Sequence, residues 1–327
     1  MESLSEFFLS FDYISFSWMV ALLLLTPLLR TKTLADYVII PSWCYAAYMS
    51  CSQWVYNTFP VRVRMTINYE QMFFMALLAG FALLIKQEIP KDKIRKWLGI
   101  VGVVNIFLSI VSIAFDHEFV SGLVPNKSMN GIFNVMLMPY SCMILGVFGW
   151  VVNFVLLFTY KSSTAFLTFF CVWLFTIPWT LFNGVVLSLV GLVSSKFIPY
   201  LTYDGGRFTG YRFYFQRFQF WDWLIGMGPS SFFAIGTYMH HKLGLPGGPW
   251  YWVYLHSDPL QVLFEYGTLG FFLVGAMLWM LYKQAEELEK LSLVAIVSGG
   301  LFYYPAHFPT HLIVIFLVLK LICGTKQ

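Results

Sequence analysis

The chain has 327 residues, of which 59% are hydrophobic, 20% are aromatic and only 11% are charged, and its formal net charge is +4. This composition excludes a water-soluble domain, which carries about 25% charged residues, and predicts an integral membrane protein. The N-terminal stretch carries Glu2, Glu6 and Asp12 and no basic residue before its apolar run, a pattern unlike that of a cleaved signal peptide. We therefore expect the first apolar segment to remain as a helix.

Apolar runs separated by polar breaks recur along almost the whole chain. A helix needs about 15–23 such residues to cross a bilayer with its backbone groups paired internally. The sequence therefore predicts an all-α integral membrane protein, a polytopic bundle of about eleven transmembrane helices in a single domain over residues 1–327. The tight pairs within 129–160 and 162–194 can each alternatively form one long helix. The predicted helices are 13–30, 34–56, 67–86, 97–115, 129–146, 147–160, 162–178, 179–194, 258–281, 291–305 and 308–323.

Basic residues indicate which loops face the cytoplasm. The loop at 86–96 holds five Lys and Arg residues and the turn at 30–32 holds two. Because such residues concentrate in short cytoplasmic loops, both are expected inside. Alternation of eleven helices then predicts an outer face that carries the N-terminus, Asn126, Lys161, the segment 194–257, His307 and His311.

The segment 194–257 is predicted to be an outward, amphipathic loop that lies in the membrane interface. It contains five Lys and Arg residues against two Asp residues, although short outer loops normally avoid basic residues. Arg207, Arg212 and Arg217 are therefore expected to bind an anion, or alternatively to snorkel to lipid headgroups. Interleaved aromatic residues favour the interface over a separate soluble domain. An outward loop also has no access to nucleic acid.

The stretch YLHSDPLQVLFEYGTLGFF, residues 254–272, combines polar side chains with the start of an apolar helix. Asp258 as N-cap, Pro259 at the first helical position and Gln261 in a capping box predict that start. Gln261 and Glu265 are four residues apart and share a face that must point into the bundle. His256, just before the helix, can accept a proton at ordinary pH, or alternatively it simply bonds a backbone carbonyl.

Familiar catalytic and metal-binding patterns are missing from the sequence. GxGxxG, Walker, HExxH and GxSxG motifs do not occur. The five cysteines lie in apolar segments without CxxC spacing and are expected to pack. The residues 116–118, Asp-His-Glu, are expected to be solvated, with a weak metal site as the alternative. His307 and His311, one helical turn apart, are expected to pack or to lie in the interface, although they can alternatively line a substrate site on the outer face or bind zinc. We therefore expect neither a metal nor a cofactor.

Four segments carry a family resemblance. LHSDPLQVLFEYGTLGFFL resembles the HN-x-x-L-Q-x-x-x-E-x-G-x-x-G signature of the bacterial O-antigen ligase and O-antigen polymerase family, with Ser257 in place of asparagine. GLVPNKSMNGIFNVMLMP, FTYKSSTAFL and GGRFTGYRFYFQRFQFWDWLIGMGPSSF are similar to three further family segments and occur in the family's order. Together they cover about 126–275. Lys161-Ser162 departs from the family's Ser-Arg, so that arginine does not carry over directly.

The resemblance implies a glycosyltransferase of type C architecture in the bacterial inner membrane. Such an enzyme moves a glycan from undecaprenyl pyrophosphate to a glycan or lipid-core acceptor at the periplasmic face, by direct inverting attack that requires no metal. His256 is then the expected catalytic base. The expected substrate-binding residues are Arg207, Arg212, Arg217, Lys161, Asn126, Gln261 and Glu265.

Two other classes of function stay open on the sequence. A transporter or flippase of lipid-linked sugars would also present a basic, aromatic outer surface, although no convincing repeat relates the two halves of the chain. A non-catalytic member of a glycan export complex fits the altered motif positions. Within the enzyme class, the motifs are shared by polymerases and ligases.

Overall fold

The structure is a computed structural model that describes residues 88–115, 122–124, 126–160, 162–176, 207–228, 232, 255–303, 305–307 and 309–323. The predicted helices 13–30, 34–56, 67–86 and 179–194 lie outside these residues, as do Lys161 and the Asp-His-Glu triplet at 116–118. Every regular element within the described ranges is helical, as the sequence predicts.

Nine α-helices and one 3₁₀ turn make up the described chain. The turn is Pro305–His307. The helices are α1 Lys91–Phe115, α2 Lys127–Leu145, α3 Val147–Tyr160, α4 Ser163–Thr176, α5 Arg207–Phe215, α6 Phe220–Ile225, α7 Asp258–Gln284, α8 Glu287–Phe302 and α9 Pro309–Cys323.

Three of these helices are long and apolar enough to cross a membrane. They are Lys91–Ala114 within α1, Lys127–Leu145 and Asp258–Gln284, with 24, 19 and 27 residues. α3, α4 and α9 are shorter apolar helices. The described part is therefore compatible with an all-helical membrane protein, whereas the total of about eleven spans remains a prediction.

One helix boundary decides between alternatives that the sequence leaves open, and a second corrects the predicted helix start at residue 97. Gly146, with φ of 58°, ends α2 by donating its N–H to the carbonyl of Cys142 at 2.8 Å. Because a residue with this φ leaves the right-handed helical region, 129–160 forms two helices, and the alternative of one long helix is wrong. The basic stretch that begins at Lys91 is not a loop, because α1 starts immediately after Pro90.

α2 is the central helix of a small bundle. All residues from Met129 to Ser141 are buried, and α2 packs against α3, α4 and α8. Small side chains let the backbones approach closely: a Cβ added at Gly131 would overlap Ala165 of α4. Ser292 of α8 donates to the Met136 carbonyl at 2.9 Å. This bundle forms the rigid part on which the polar residues of α1 to α4 lie.

The described residues belong to two compact units. One unit spans residues 96–306 and contains the bundle and α5 to α8. The other includes α9, whose Ile313, Leu317 and Leu321 are buried. The single domain over 1–327 remains a prediction, because much of the chain lies outside the described residues.

Candidate functional site

The start of α7 differs by one residue from its predicted form. Ser257, with φ of −159°, is the N-cap, and Asp258 is the first helical residue. The Asp258 carboxylate accepts a hydrogen bond from the Ala306 N–H at 3.0 Å, and the backbone N–H of Asp258 donates to the Tyr303 carbonyl at 3.1 Å. The prediction of Asp258 as N-cap is wrong, because its carboxylate is engaged by the turn after α8. Asp258 therefore fixes the start of α7 to the end of α8.

His256 is buried and its backbone is strained. Its exposed fraction is 2%, and its φ of 56° makes it the only non-glycine residue with positive φ in the described part of the chain. Such a conformation costs about 1–3 kcal/mol and persists only where its surroundings enforce it. Its ring meets the Tyr303 ring edge-on, with centroids 5.8 Å apart. The structure therefore holds this imidazole in a defined place just before α7.

Gln261 and Glu265 form the buried polar face that their spacing predicts. The Gln261 Nε2 donates to Glu265 Oε1 at 2.6 Å, and both side chains are buried. Gln261 Oε1 accepts the backbone N–H of Leu255 at 3.0 Å. Gln261 thus bonds Leu255, which lies two residues before the N-cap Ser257. The predicted capping box between Gln261 and Asp258 is therefore wrong. The pair holds the backbone immediately before His256.

A glycine breaks α7 two residues after Glu265. Gly267, with φ of 64° and ψ of −169°, interrupts the helix. The carbonyls of Phe264 and Glu265, which such a break frees, accept the N–H groups of Met227 and Gly228, each at 2.9 Å. The broken helix therefore pairs its backbone with the turn that follows α6.

The two backbones approach too closely for any side chain at this point. A Cβ added at Gly226 would overlap the Glu265 carbonyl, and one added at Gly267 would overlap the Leu224 carbonyl. Both glycines also have positive φ. We call this contact between Gly226 and Gly267 the glycine crossing. It joins residues 226–228, the G-x-G part of one motif segment, directly to residues 265–267, the E-x-G part of another. The motifs taken separately did not predict this contact.

The arginine-bearing helices are anchored to α7 by aromatic packing. Tyr214, Phe232, Leu255 and Phe264 form a buried cluster against which residues of α5 pack. Leu255 and Phe264 immediately precede His256 and Glu265 in the chain. Burial raises the pKa of Tyr214 to about 12, so this phenol stays protonated at neutral pH. The cluster thus connects the arginine segment to the start of α7.

The predicted anion-binding arginines lie on or beside α5. Arg207 is its first residue, and Arg212 lies in its last turn with an exposed side chain. Arg217 follows the helix, is also exposed, and places its guanidinium carbon 4.2 Å from the centre of the Phe213 ring. Arg212 on α5 and Arg217 just after it are therefore exposed, on a segment that packs against α7.

Two further polar residues that the sequence places on the outer face make local contacts of their own. Asn126 caps α2, because its side-chain oxygen accepts the N–H groups of Ser128 at 2.9 Å and Met129 at 3.2 Å. His311 is buried, with Nδ1 3.3 Å from the hydroxyl of Thr310. Among the residues that the structure describes, no group of three His, Cys, Asp or Glu side chains is arranged to hold a metal ion.

A second buried polar group, which the motifs did not predict, lies between α1, α2 and α3. We call it the amide network, and it comprises Asn105, Ser109, Asn130, Asn134 and Tyr160. A signal was present in the sequence. Asn105 and Ser109, and likewise Asn130 and Asn134, are four residues apart in apolar runs, a spacing that places each pair on one inward face.

The start of α7 therefore offers a fixed imidazole and a buried carboxamide and carboxyl pair, and the segment that packs against α7 carries exposed guanidinium groups. Such an arrangement can take a proton and bind an anion at one end of a membrane helix. A comparison of the chain with protein-family models, with curated proteins and with solved structures found no match in any of them.

Proposed function

We propose that the chain is a glycosyltransferase that moves a glycan from undecaprenyl pyrophosphate to a sugar or lipid acceptor at the periplasmic face of the bacterial inner membrane. The observation that carries this proposal is the glycine crossing. It bonds two of the four motif segments to each other at Glu265, on the helix that carries Gln261 and begins just after the strained His256. Strained residues concentrate at functional sites, so this end of α7 is where chemistry is expected.

His256 is the proposed base for the acceptor hydroxyl. A neutral imidazole accepts a proton near neutral pH, and the bonds that Leu255 and Asp258 make on either side fix its position. Gln261 and Glu265 support the loop that carries it. Polymerase and ligase would use the same base and differ in the acceptor that they admit.

Arginine side chains are the proposed binding groups for the pyrophosphate. The planar guanidinium binds two phosphate oxygens at once, and Arg212 and Arg217 are exposed on the segment anchored to α7. Arg207, Lys161 and Asn126 complete the proposed substrate-binding set. Membrane lipids surround the same segment. The isoprenoid chain of the donor would lie in the bilayer, so that the donor would reach the segment from the membrane.

The proposed reaction is a single displacement. The acceptor oxygen forms a bond to the anomeric carbon as the bond from that carbon to the pyrophosphate oxygen breaks, and His256 takes the acceptor proton. The arginines stabilise the negative charge that develops on the departing pyrophosphate. Direct attack inverts the configuration at the anomeric carbon, and the scheme uses neither a metal nor a cofactor.

Replacement of His256 tests the proposal. His256→Gln keeps a hydrogen-bonding side chain but cannot take a proton at neutral pH, so transfer should fall by about 10²- to 10⁴-fold while binding of the donor persists. The assay uses full-length protein in vesicles with lipid-linked donor and acceptor. His311→Gln, which changes a buried histidine without a proposed role, should remain active. Turnover of His256→Gln near that of the unsubstituted protein contradicts the base role.

A transporter of lipid-linked sugars is the second candidate. It is favoured by the break at Gly267, because discontinuous membrane helices are typical of transporter binding sites. The two candidates differ when no acceptor is present. A transporter would move labelled donor across a vesicle membrane under that condition, whereas the transferase would leave the donor on its original side and release pyrophosphate only with acceptor.

A further inference from the structure

The amide network is fully buried, and each of its five side chains makes at least two hydrogen bonds. Asn105 Nδ2 donates to the side-chain oxygens of Asn130 at 2.9 Å and Asn134 at 2.7 Å. Ser109 Oγ accepts from Asn130 Nδ2 and from the Tyr160 hydroxyl, each at 3.0 Å. Asn134 Nδ2 donates to that same hydroxyl. None of the five side chains is more than 3% exposed.

Such a network is a costly way to pack apolar helices. Each polar group removed from water must be paired, and apolar side chains of similar size fill a bundle without that requirement. A complete network instead holds one defined arrangement. Among the described residues, a bond from the network to a segment outside the helices indicates what it holds: Asn105 Oδ1 accepts the backbone N–H of Leu123 at 2.6 Å.

The segment 122–124 lies directly on the network. A Cβ added at Gly122 would overlap Asn105 Oδ1 and would come within 2.9 Å of both Asn130 Oδ1 and Ser109 Oγ. Only glycine allows this approach of the backbone. Val124, two residues later, is completely buried. The network therefore holds the chain just before α2 by a hydrogen bond and by direct backbone contact.

Two of the proposed substrate-binding residues come, in the sequence, just after segments of the chain that the network holds. Asn126 comes two residues after Val124 and caps α2. Lys161 comes directly after Tyr160, whose hydroxyl bonds both Ser109 and Asn134. One set of hydrogen bonds thus fixes the start of α2 and the end of α3 together.

We propose that the amide network is a positioning device for binding of the lipid pyrophosphate donor, because it holds the backbone just before Asn126 and the end of α3, which Lys161 follows in the sequence. This inference rests on the proposed function. Its five side chains are positioning residues and do not touch the substrate. If they act on binding of the donor alone, their loss raises the KM for the donor and leaves kcat nearly unchanged.

Tyr160→Phe tests this inference because it removes only the hydroxyl that joins α3 to the network. Tyr140→Phe is the matched control: its ring is equally buried on α2, and its hydroxyl makes none of the network bonds described above. In Tyr160→Phe, we expect amide hydrogen exchange of residues 122–126 and the KM for the lipid-linked donor each to rise by about threefold to tenfold, the range expected for loss of one or two hydrogen bonds. Neither should change in Tyr140→Phe.

A second pair of variants covers the case in which Tyr160→Phe does not reach the membrane. Ser109→Ala removes the hydroxyl at the centre of the network, and Ser109→Thr retains it, so only the alanine variant should show the two increases. Equal behaviour of Tyr160→Phe and Tyr140→Phe overturns the inference, as does faster exchange with an unchanged KM. If the unsubstituted protein shows no transfer, the proposed function fails, and the exchange measurement alone decides whether the network holds 122–126.

Discussion

Arg212 and Arg217 are close in sequence but differ in what their guanidinium groups contact. Arg217 lies over the Phe213 ring at 4.2 Å, a cation–π contact that is worth about 0.5–1 kcal/mol at an exposed site. Arg212 has an exposed side chain in the last turn of α5. Of the two, Arg212 is therefore the better candidate for a planar, two-point contact with phosphate, whereas Arg217 combines a charge with packing.

Arg212→Lys should reduce glycan transfer by about one to two orders of magnitude. Lysine keeps the charge but loses the planar fork, and a charge-assisted hydrogen bond contributes about 1.5–3 kcal/mol. The measurement is kcat/KM for the lipid-linked donor. Arg95→Lys, which changes an arginine 3.8 Å from Asp92 near the start of α1, serves as the control and should have no effect. Unchanged kcat/KM in Arg212→Lys would leave this arginine as a headgroup anchor.

The helices could be predicted from the sequence more completely than the contacts between them. The predicted segments 147–160 and 308–323 agree within one residue with Val147–Tyr160 and Pro309–Cys323, because the ends of an apolar run coincide with the ends of a buried helix. The shared face of Gln261 and Glu265 was equally predictable, since helical spacing fixes it.

The glycine crossing could not be predicted in the same way. Membrane helices tolerate glycine, so Gly267 alone does not indicate a break, and its partner turn at 226–228 is remote in sequence. The shift of the N-cap from Asp258 to Ser257 has a similar cause, because it depends on the Ala306 N–H of another element. Local patterns predict local structure, whereas these two features depend on which distant backbone groups need partners.

Gly267→Ala should destabilise the protein by at least about 2 kcal/mol, because alanine is strained at positive φ and its Cβ overlaps the Leu224 carbonyl. Gly275→Ala is the control on the same helix, where an added Cβ meets nothing within 4 Å. It should stabilise the helix by about 1 kcal/mol or less. Chemical unfolding in detergent gives both values. Equal midpoints for the two variants would show that the crossing contributes no stability.

Charge is distributed unevenly between the ends of the membrane helices, and this asymmetry bears on the orientation of the whole molecule. Lys91, Lys93, Arg95 and Lys96 fall in the first two turns of α1. α1 and α2 are both long enough to cross a bilayer, and the segment around 122–124 connects them. If the basic start of α1 is cytoplasmic, the start of α2 must lie on the opposite side.

Cysteine labelling of intact cells tests this orientation. In a chain whose own cysteines are replaced by alanine, a cysteine at the exposed position Lys127 should react with an impermeant maleimide added outside. A cysteine at the exposed position Lys93 should react only after the cells are opened. The asymmetry follows from the preference of basic residues for the cytoplasmic side. Labelling of the cysteine at position 93 from outside would show the opposite orientation and would exclude a periplasmic site at 122–126.

The two short helices of the bundle carry a consequence for the surrounding lipid. α3 and α4 have 14 residues each, which at about 1.5 Å per residue give a length of roughly 21 Å. The hydrocarbon region of a typical bilayer is about 30 Å thick. If α3 crosses the membrane as the sequence predicts, the bilayer beside it must thin, or its headgroups must dip toward the end of this helix. A local depression of this kind would shorten the distance over which a pyrophosphate headgroup has to travel to reach the protein, so hydrophobic mismatch itself would help to recruit the donor.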